Sequence, residues 1–125
     1  MIPADRRYTK EHEWVKAEGT VATVGITDFA QRELGDIVYV ELPEIGRAVK
    51  AGEVLGTIES VKAVSELYAP VSGSITAVNT KLSDKPETIN TDAHGEGWIC
   101  KVQLTAASEL DALMDAAAYE KMAGA

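Results

Sequence analysis

Cysteine, phenylalanine and histidine are nearly missing from this chain: 125 residues contain one Cys, one Phe and two His. Cys100 alone cannot close an internal disulfide, and one cysteine with two histidines cannot supply the four ligands of a structural zinc site. Aromatic residues reach only 6%, too few for an aromatic ligand cage or a base-stacking platform. No apolar run approaches the roughly 20 residues that cross a bilayer. Met1 to Lys10 lack the apolar stretch and small-residue cleavage pattern of a secretory signal, and the segment is too short and too acidic beyond Arg7 for a transit peptide. Positive charge is also scarce: 12 basic against 20 acidic residues give a formal net charge of -8. That field repels a phosphate backbone, so nucleic acid is a poor partner, whereas basic protein surfaces are suitable ones.

The familiar catalytic patterns are missing too. There is no Gly-x-Ser-x-Gly elbow, no phosphate loop ending in Gly-Lys-Ser/Thr and no dinucleotide glycine triplet. His12-Glu13 opens like a zinc-protease helix, but position 16 is Lys. Gly95-Glu96-Gly97 reads as a turn and His94 beside it as solvated. His12 reads as a structural hydrogen-bonder, Cys100 as a small buried apolar residue, and Asp111 with Asp115 as solvated acids on a helix surface. Nothing here points to an enzyme.

What remains is ordinary globular material. Hydrophobic residues at 46% and charged residues at 26% fit one domain over residues 1–125 around one core. Period-two alternation dominates from Trp14 to Leu104. Val21 to Ile26 follows a Glu18-Gly19 turn as a hairpin strand, and Ile37 to Leu42 stops at Pro43. Val54 to Glu59 and Val64 to Tyr68 form another pair. Val71 to Val78 contains a turn or bulge at Ser72-Gly73-Ser74. Trp98, Cys100, Val102 and Leu104 share one face of a last strand. These spacings predict a mostly β sandwich or small barrel with its core at about residues 20–104. A faint echo between Val49–Val54 and Ala69–Ile75, on either side of Lys62, suggests two similar half-sheets.

Helices are few. Asp28 caps one through Leu34, with Gln31 at the capping-box position and Gly35 as the stop. A C-terminal helical segment over about 106–122 carries Leu110, Leu113, Met114, Ala117 and Ala118 at helical spacing, packed on the sheet, with Asp115 dividing it. Met1 to Arg7 and Gly124-Ala125 are expected to fray.

The unusual stretch is Gly56-Thr57-Ile58-Glu59-Ser60-Val61-Lys62-Ala63-Val64-Ser65-Glu66-Leu67. Two strand-patterned runs flank a junction with no Gly, Asn, Asp or Pro between Ser60 and Val64, where a hairpin favours them. Taken alone, Lys62 is a solvated lysine on an edge loop. A tip lysine with small or apolar neighbours is equally the presentation that a modifying enzyme requires.

This stretch resembles the attachment site of lipoyl domains, and a longer match is to the H-protein family of the glycine cleavage system. The resemblance runs from Tyr8 to Tyr119. It includes YTKEHEWV (Tyr8 to Val15), VATVGITDFAQRELGDIVYVELPEIG (Val21 to Gly46), ESVKAVSELYAPVSG (Glu59 to Gly73), GEGW (Gly95 to Trp98) and SELDALMDAAAY (Ser108 to Tyr119). It departs at Asp92-Ala93-His94, where relatives commonly read Asp-Pro-Tyr.

The resemblance implies a lipoyl-domain-like barrel-sandwich hybrid of two small antiparallel sheets, with a short helix after the second strand. It implies Lys62 as the residue that carries lipoate in amide linkage, taking the net charge to about -9. It implies a non-catalytic carrier that shuttles an aminomethyl group from the pyridoxal-phosphate glycine decarboxylase (P protein) to the aminomethyltransferase (T protein). Dihydrolipoyl dehydrogenase (L protein) then reoxidises the carrier, and lipoate-attaching enzymes load it. Between visits the arm is expected to rest in a surface groove, where each buried methylene contributes about 0.8 kcal/mol. Glu13 would hold the amine there through a charge-assisted hydrogen bond of about 1.5–3 kcal/mol. Glu59, Ser65 and Glu66 are either recognition residues or strand-end polar residues. A lipoyl-relay role and a biotinyl carrier are the alternatives, although biotin sites typically read Met-Lys-Met. A monomer in a bacterial cytoplasm is expected, or in the mitochondrial matrix for a processed eukaryotic form.

Overall fold

The structure is a computed structural model that describes residues 2–124, and the fraying expected at Met1 and Ala125 lies outside them. Nine strands occur among the described residues: β1 (Arg7–Tyr8), β2 (Glu13–Glu18), β3 (Val21–Ile26), β4 (Ile37–Glu41), β5 (Ala48–Val49), β6 (Val54–Ser60), β7 (Val64–Tyr68), β8 (Gly73–Val78) and β9 (Cys100–Leu104). Helix α1 (Asp28–Leu34) joins β3 to β4. Two single-turn helices, α2 (Lys81–Asp84) and α3 (Thr88–Thr91), lie between β8 and β9. A 3-10 turn (Ala107–Ala112) and α4 (Ala116–Ala123) close the chain.

The strands form two antiparallel sheets, one of order β1-β2-β3-β9-β8-β5 and the other β4-β6-β7. This is the expected barrel-sandwich class, but the halves are unequal. The two-residue strands β1 and β5, too short to alternate visibly, extend one sheet to six strands. Gly19, at φ +64°, makes the β2–β3 turn, a conformation that costs glycine little. The inner faces meet in a core that includes Val24, Ile58, Leu67, Ile75 and Val102. A second cluster of Ile2, Tyr8, Trp14, Ala116 and Tyr119 lies where the chain ends meet.

Several local expectations are corrected. Thr27, not Asp28, caps α1: its side chain accepts from the Ala30 N–H, while Asp28 opens the helix and takes Gln31 Nε2 at 2.8 Å. Gly35 is the stop, as expected, and its N–H bonds the Gln31 carbonyl. The segment through Arg7 is anchored, not frayed. Ile2 is buried, and the Arg6 guanidinium stacks over Trp14 at 4.5 Å. Trp98 leaves the Cys100–Val102 face and joins the second cluster, 5.4 Å from the Lys101 ammonium. Asp115 does divide the C-terminal segment, capping α4 through the Ala118 N–H. The α4 residues that bury are Ala116 and Tyr119, however, and Ala117 and Ala118 face solvent.

His94 is half-buried rather than solvated. Its Nε2 accepts from the Asp28 N–H at 3.2 Å, and burial holds its pKa below the usual histidine value. Cys100 is fully buried, and burial pushes its thiol up to about 12; no thiolate forms near neutral pH. Among the described residues no helix is long and apolar enough to cross a membrane, and no His/Cys/Asp/Glu cluster can hold a metal ion.

Candidate functional site

The lysine tip is built by the β6–β7 hairpin. Glu59 pairs with Val64, and the Ser60 N–H donates to the Ala63 carbonyl at 2.8 Å. The four residues from Ser60 to Ala63 turn without glycine because the Ser60 side chain closes the turn. Its Oγ accepts from the Lys62 N–H at 3.3 Å and the Ala63 N–H at 3.1 Å. Serine competes well for nearby backbone amides in this way. The turn chemistry that was missing from Val61-Lys62-Ala63 is thus supplied one residue earlier. A serine heading the tip was the readable signal.

The tip is also moored to the α1–β4 junction. The Val61 N–H donates to the Asp36 carbonyl at 3.0 Å. Lys62 Cε lies 3.4 Å from where a Cβ on Gly35 would sit, so the lysine stem runs over a residue that has no side chain. Lys62 itself is exposed, and among the described residues its ammonium makes neither a hydrogen bond nor an ion pair.

Glu13 lies elsewhere. It is only 2% exposed, on β2 beside a groove of about 570 Å³ lined by Tyr8, Thr9, Tyr68, Pro70 and Met114 among others. Its carboxylate accepts from Thr9 Oγ at 2.6 Å and from the Tyr68 N–H at 3.1 Å. Burial raises its pKa above the ordinary carboxylate value, and those two hydrogen bonds offset part of the rise. Thr9 and the Tyr68 backbone were missed by sequence reasoning. The Tyr68 contact joins positions 55 residues apart, and no local pattern announces it. Lys62 does not line this groove; it stands at one end of β7 and the Glu13 contact at the other.

The remaining candidates divide between the faces of the small sheet. Glu59 stands in a cross-strand row with Tyr39 and Val64, and Glu66 in the next row with Thr57 and Glu41. Residues paired across antiparallel strands project to the same side, so both acids share the outer face. Glu66 also accepts from the Tyr68 hydroxyl at 3.2 Å. Ser65 pairs with Ile58 in the inner row beside buried Val40. The structure therefore groups Glu59 with Glu66 and separates Ser65 from them.

Known proteins resemble this chain over most of its length. The family model for the glycine cleavage H-protein matches residues 6–125. A glycine cleavage system H protein of Symbiobacterium thermophilum is 58% identical over 119 residues, covering 95% of this chain and 93% of that one. One from Rubrobacter xylanophilus is 61% identical over 109 residues, covering 87% and 86%. The crystal structure of a glycine cleavage system H protein from Mycobacterium marinum superposes with a TM-score of 0.92 at 46% identity, over 99% of this chain and 100% of that one. With its two unequal sheets, its lysine-bearing hairpin and matches that run almost end to end, the chain belongs to the glycine cleavage H-protein family.

Proposed function

We propose that the chain carries lipoate on Lys62, and that it ferries an aminomethyl group from the glycine decarboxylase to the aminomethyltransferase. The flavoprotein dihydrolipoyl dehydrogenase then returns the carrier to its oxidised state. The coarser conclusion, a carrier subunit of the glycine cleavage system, follows from family membership. The finer reading is supported chiefly by one observation. Lys62 is an exposed amine with no ion pair among the described residues, on a turn whose backbone is fixed by Ser60 and Asp36.

These residues fit an acyl group in amide linkage. The tip neighbours Val61 and Ala63 carry no competing nucleophile, and Ser60 Oγ is engaged with the backbone. Lipoate, once attached, supplies a disulfide–dithiol couple that no residue of this chain provides. The chain supplies placement. Ser60 and the Gly35–Asp36 junction fix the attachment point at an exposed hairpin tip. Glu13, buried with its pKa raised above the ordinary carboxylate value and steadied by Thr9 and Tyr68, offers a hydrogen-bond acceptor to an amine that enters the groove. Residues 1–125 act as one carrier domain, monomeric and cytoplasmic.

The test is intact-mass analysis after incubation with a lipoate ligase, alongside a reconstituted four-component assay. Wild type gains one lipoyl group; Lys62→Arg gains none and supports no glycine breakdown. Full activity of the arginine variant overturns the proposal.

A further inference from the structure

The lysine tip leans on one peptide unit of the α1–β4 junction, and a side chain distant in sequence holds that unit from behind. The Asp36 carbonyl accepts from the Val61 N–H at 3.0 Å. The N–H of the same peptide, on Ile37, donates to Asn90 Oδ1 at 2.9 Å, across 53 residues of chain. In a planar trans peptide the C=O and N–H point to opposite sides. Fixing the N–H on Asn90 therefore aims the carbonyl at Val61. Asn90 Nδ2 also donates to the Gly35 carbonyl at 2.9 Å and to Gln31 Oε1 at 2.9 Å. Both amide protons and the amide oxygen are thus engaged, and turning the amide over would set N–H against N–H and oxygen against oxygen. Gln31 is held in turn, through Nε2 on Asp28 Oδ1 at 2.8 Å.

Regular structure gives out on either side of Asp36. Gly35, at φ +81°, ends α1 with the least constrained residue type. Strand β4 then starts irregularly: Ile37 pairs with Ser60 and Tyr39 with Glu59, so Val38 is an extra residue without a partner. A bulge of this kind interrupts the ladder beside the tip. Asn90, on α3, spans the gap by bonding Gly35 before Asp36 and Ile37 after it. Ser60 shapes the turn from within; Asn90 fixes where the turn stands.

We propose that Asn90 is a positioning residue for Lys62. By clamping both flanks of Asp36 it holds the Val61 amide, and with it the tip turn, in the geometry at which a lipoate-attaching enzyme acylates the lysine. This inference rests on the lipoyl reading above and adds to it a residue that acts on Lys62 only through the backbone. A tip already held in one conformation binds the modifying enzyme without first losing conformational freedom. Loss of the clamp therefore raises KM for the carrier and spares the chemical step.

The experiment follows lipoylation of the full chain by a lipoate ligase, together with amide hydrogen exchange at Val61, in wild type, Asn90→Ala and Tyr119→Phe. Tyr119→Phe is the control: it removes hydrogen bonds to His12 and Thr27 and none to the flanks of Asp36. Asn90→Ala is expected to speed Val61 exchange about tenfold and to raise the carrier KM about fivefold, with kcat within about twofold. Tyr119→Phe is expected to leave exchange and KM within about twofold of wild type. In Asn90→Ala, either quantity within about twofold of wild type overturns the positioning role, as does an equal shift in Tyr119→Phe, the mark of general destabilisation. If Asn90→Ala does not fold, Asn90→Asp decides, since it keeps an acceptor for Ile37 but sets an oxygen against the Gly35 carbonyl. Exchange and KM should each rise about threefold in that variant, and unchanged values overturn the proposal. A wild-type chain that gains no lipoyl group fails the earlier reading at its own step, and Val61 exchange then decides the clamp.

Discussion

Glu13 is a carboxyl group taken out of water, and its burial couples the stability of the fold to pH. Its folded pKa is raised above the ordinary 4.5, so the folded state binds this proton more tightly than the unfolded chain does. The resulting stability is complete below 4.5 and is lost as pH rises through the raised value. Urea titrations of Glu13→Gln should therefore show less loss of stability than wild type between that limit and neutrality; parallel curves would refute the assignment. Single residues were unevenly legible. Gly35 and Asp115 announced themselves because stops and caps use few residue types at fixed offsets. Thr27 and Asp28 are both good caps placed side by side, so only backbone geometry distinguishes them. Ser60 was passed over because its work is done by a side chain reaching forward, whereas turn rules attend to residues at the bend.

Strands reveal themselves by alternation, and β7, where alternation is unbroken, was read well, as were β3 and most of β6. The irregular element escaped: nothing in Ile37-Val38-Tyr39-Val40 says which side chain is extra, since all four are apolar. Helices α2 and α3 escaped too, because four residues are too few for a 3.6-residue period to show. The β2–β3 hairpin carries a checkable constraint. Gly25 faces Trp14 across the pair, and a Cβ there would lie 2.6 Å from the indole ring. Gly25→Ala should displace Trp14 and cost about 1–3 kcal/mol in chemical denaturation, with a shift in tryptophan fluorescence. An unperturbed spectrum would mean that the ring has room to move.

For the molecule as a whole, the two chain ends are joined by polar and aromatic contacts rather than by the main core. Tyr8 and Tyr119 stack with ring centroids 4.9 Å apart, and β1 exchanges backbone hydrogen bonds with Met114 at 2.8 and 2.9 Å. The Tyr119 hydroxyl lies 2.7 Å from both His12 Nδ1 and Thr27 Oγ1, tying α4 to the start of α1. Tyr119→Phe removes the partner of His12 Nδ1 and leaves Thr27 Oγ1 only its bond from the Ala30 N–H; it should lower stability by about 1–3 kcal/mol in thermal melts and should leave the proposed lipoylation of Lys62 unchanged. Loss of lipoylation in the folded variant would contradict that expectation. The pairing of β3 with β9 has a consequence for biosynthesis. Strand β3 emerges early from a translating ribosome but must wait for Leu104 before the larger sheet can close, and topologies of this kind fold slowly. The β6–β7 hairpin that bears Lys62 is therefore made well before β9 arrives to complete the larger sheet.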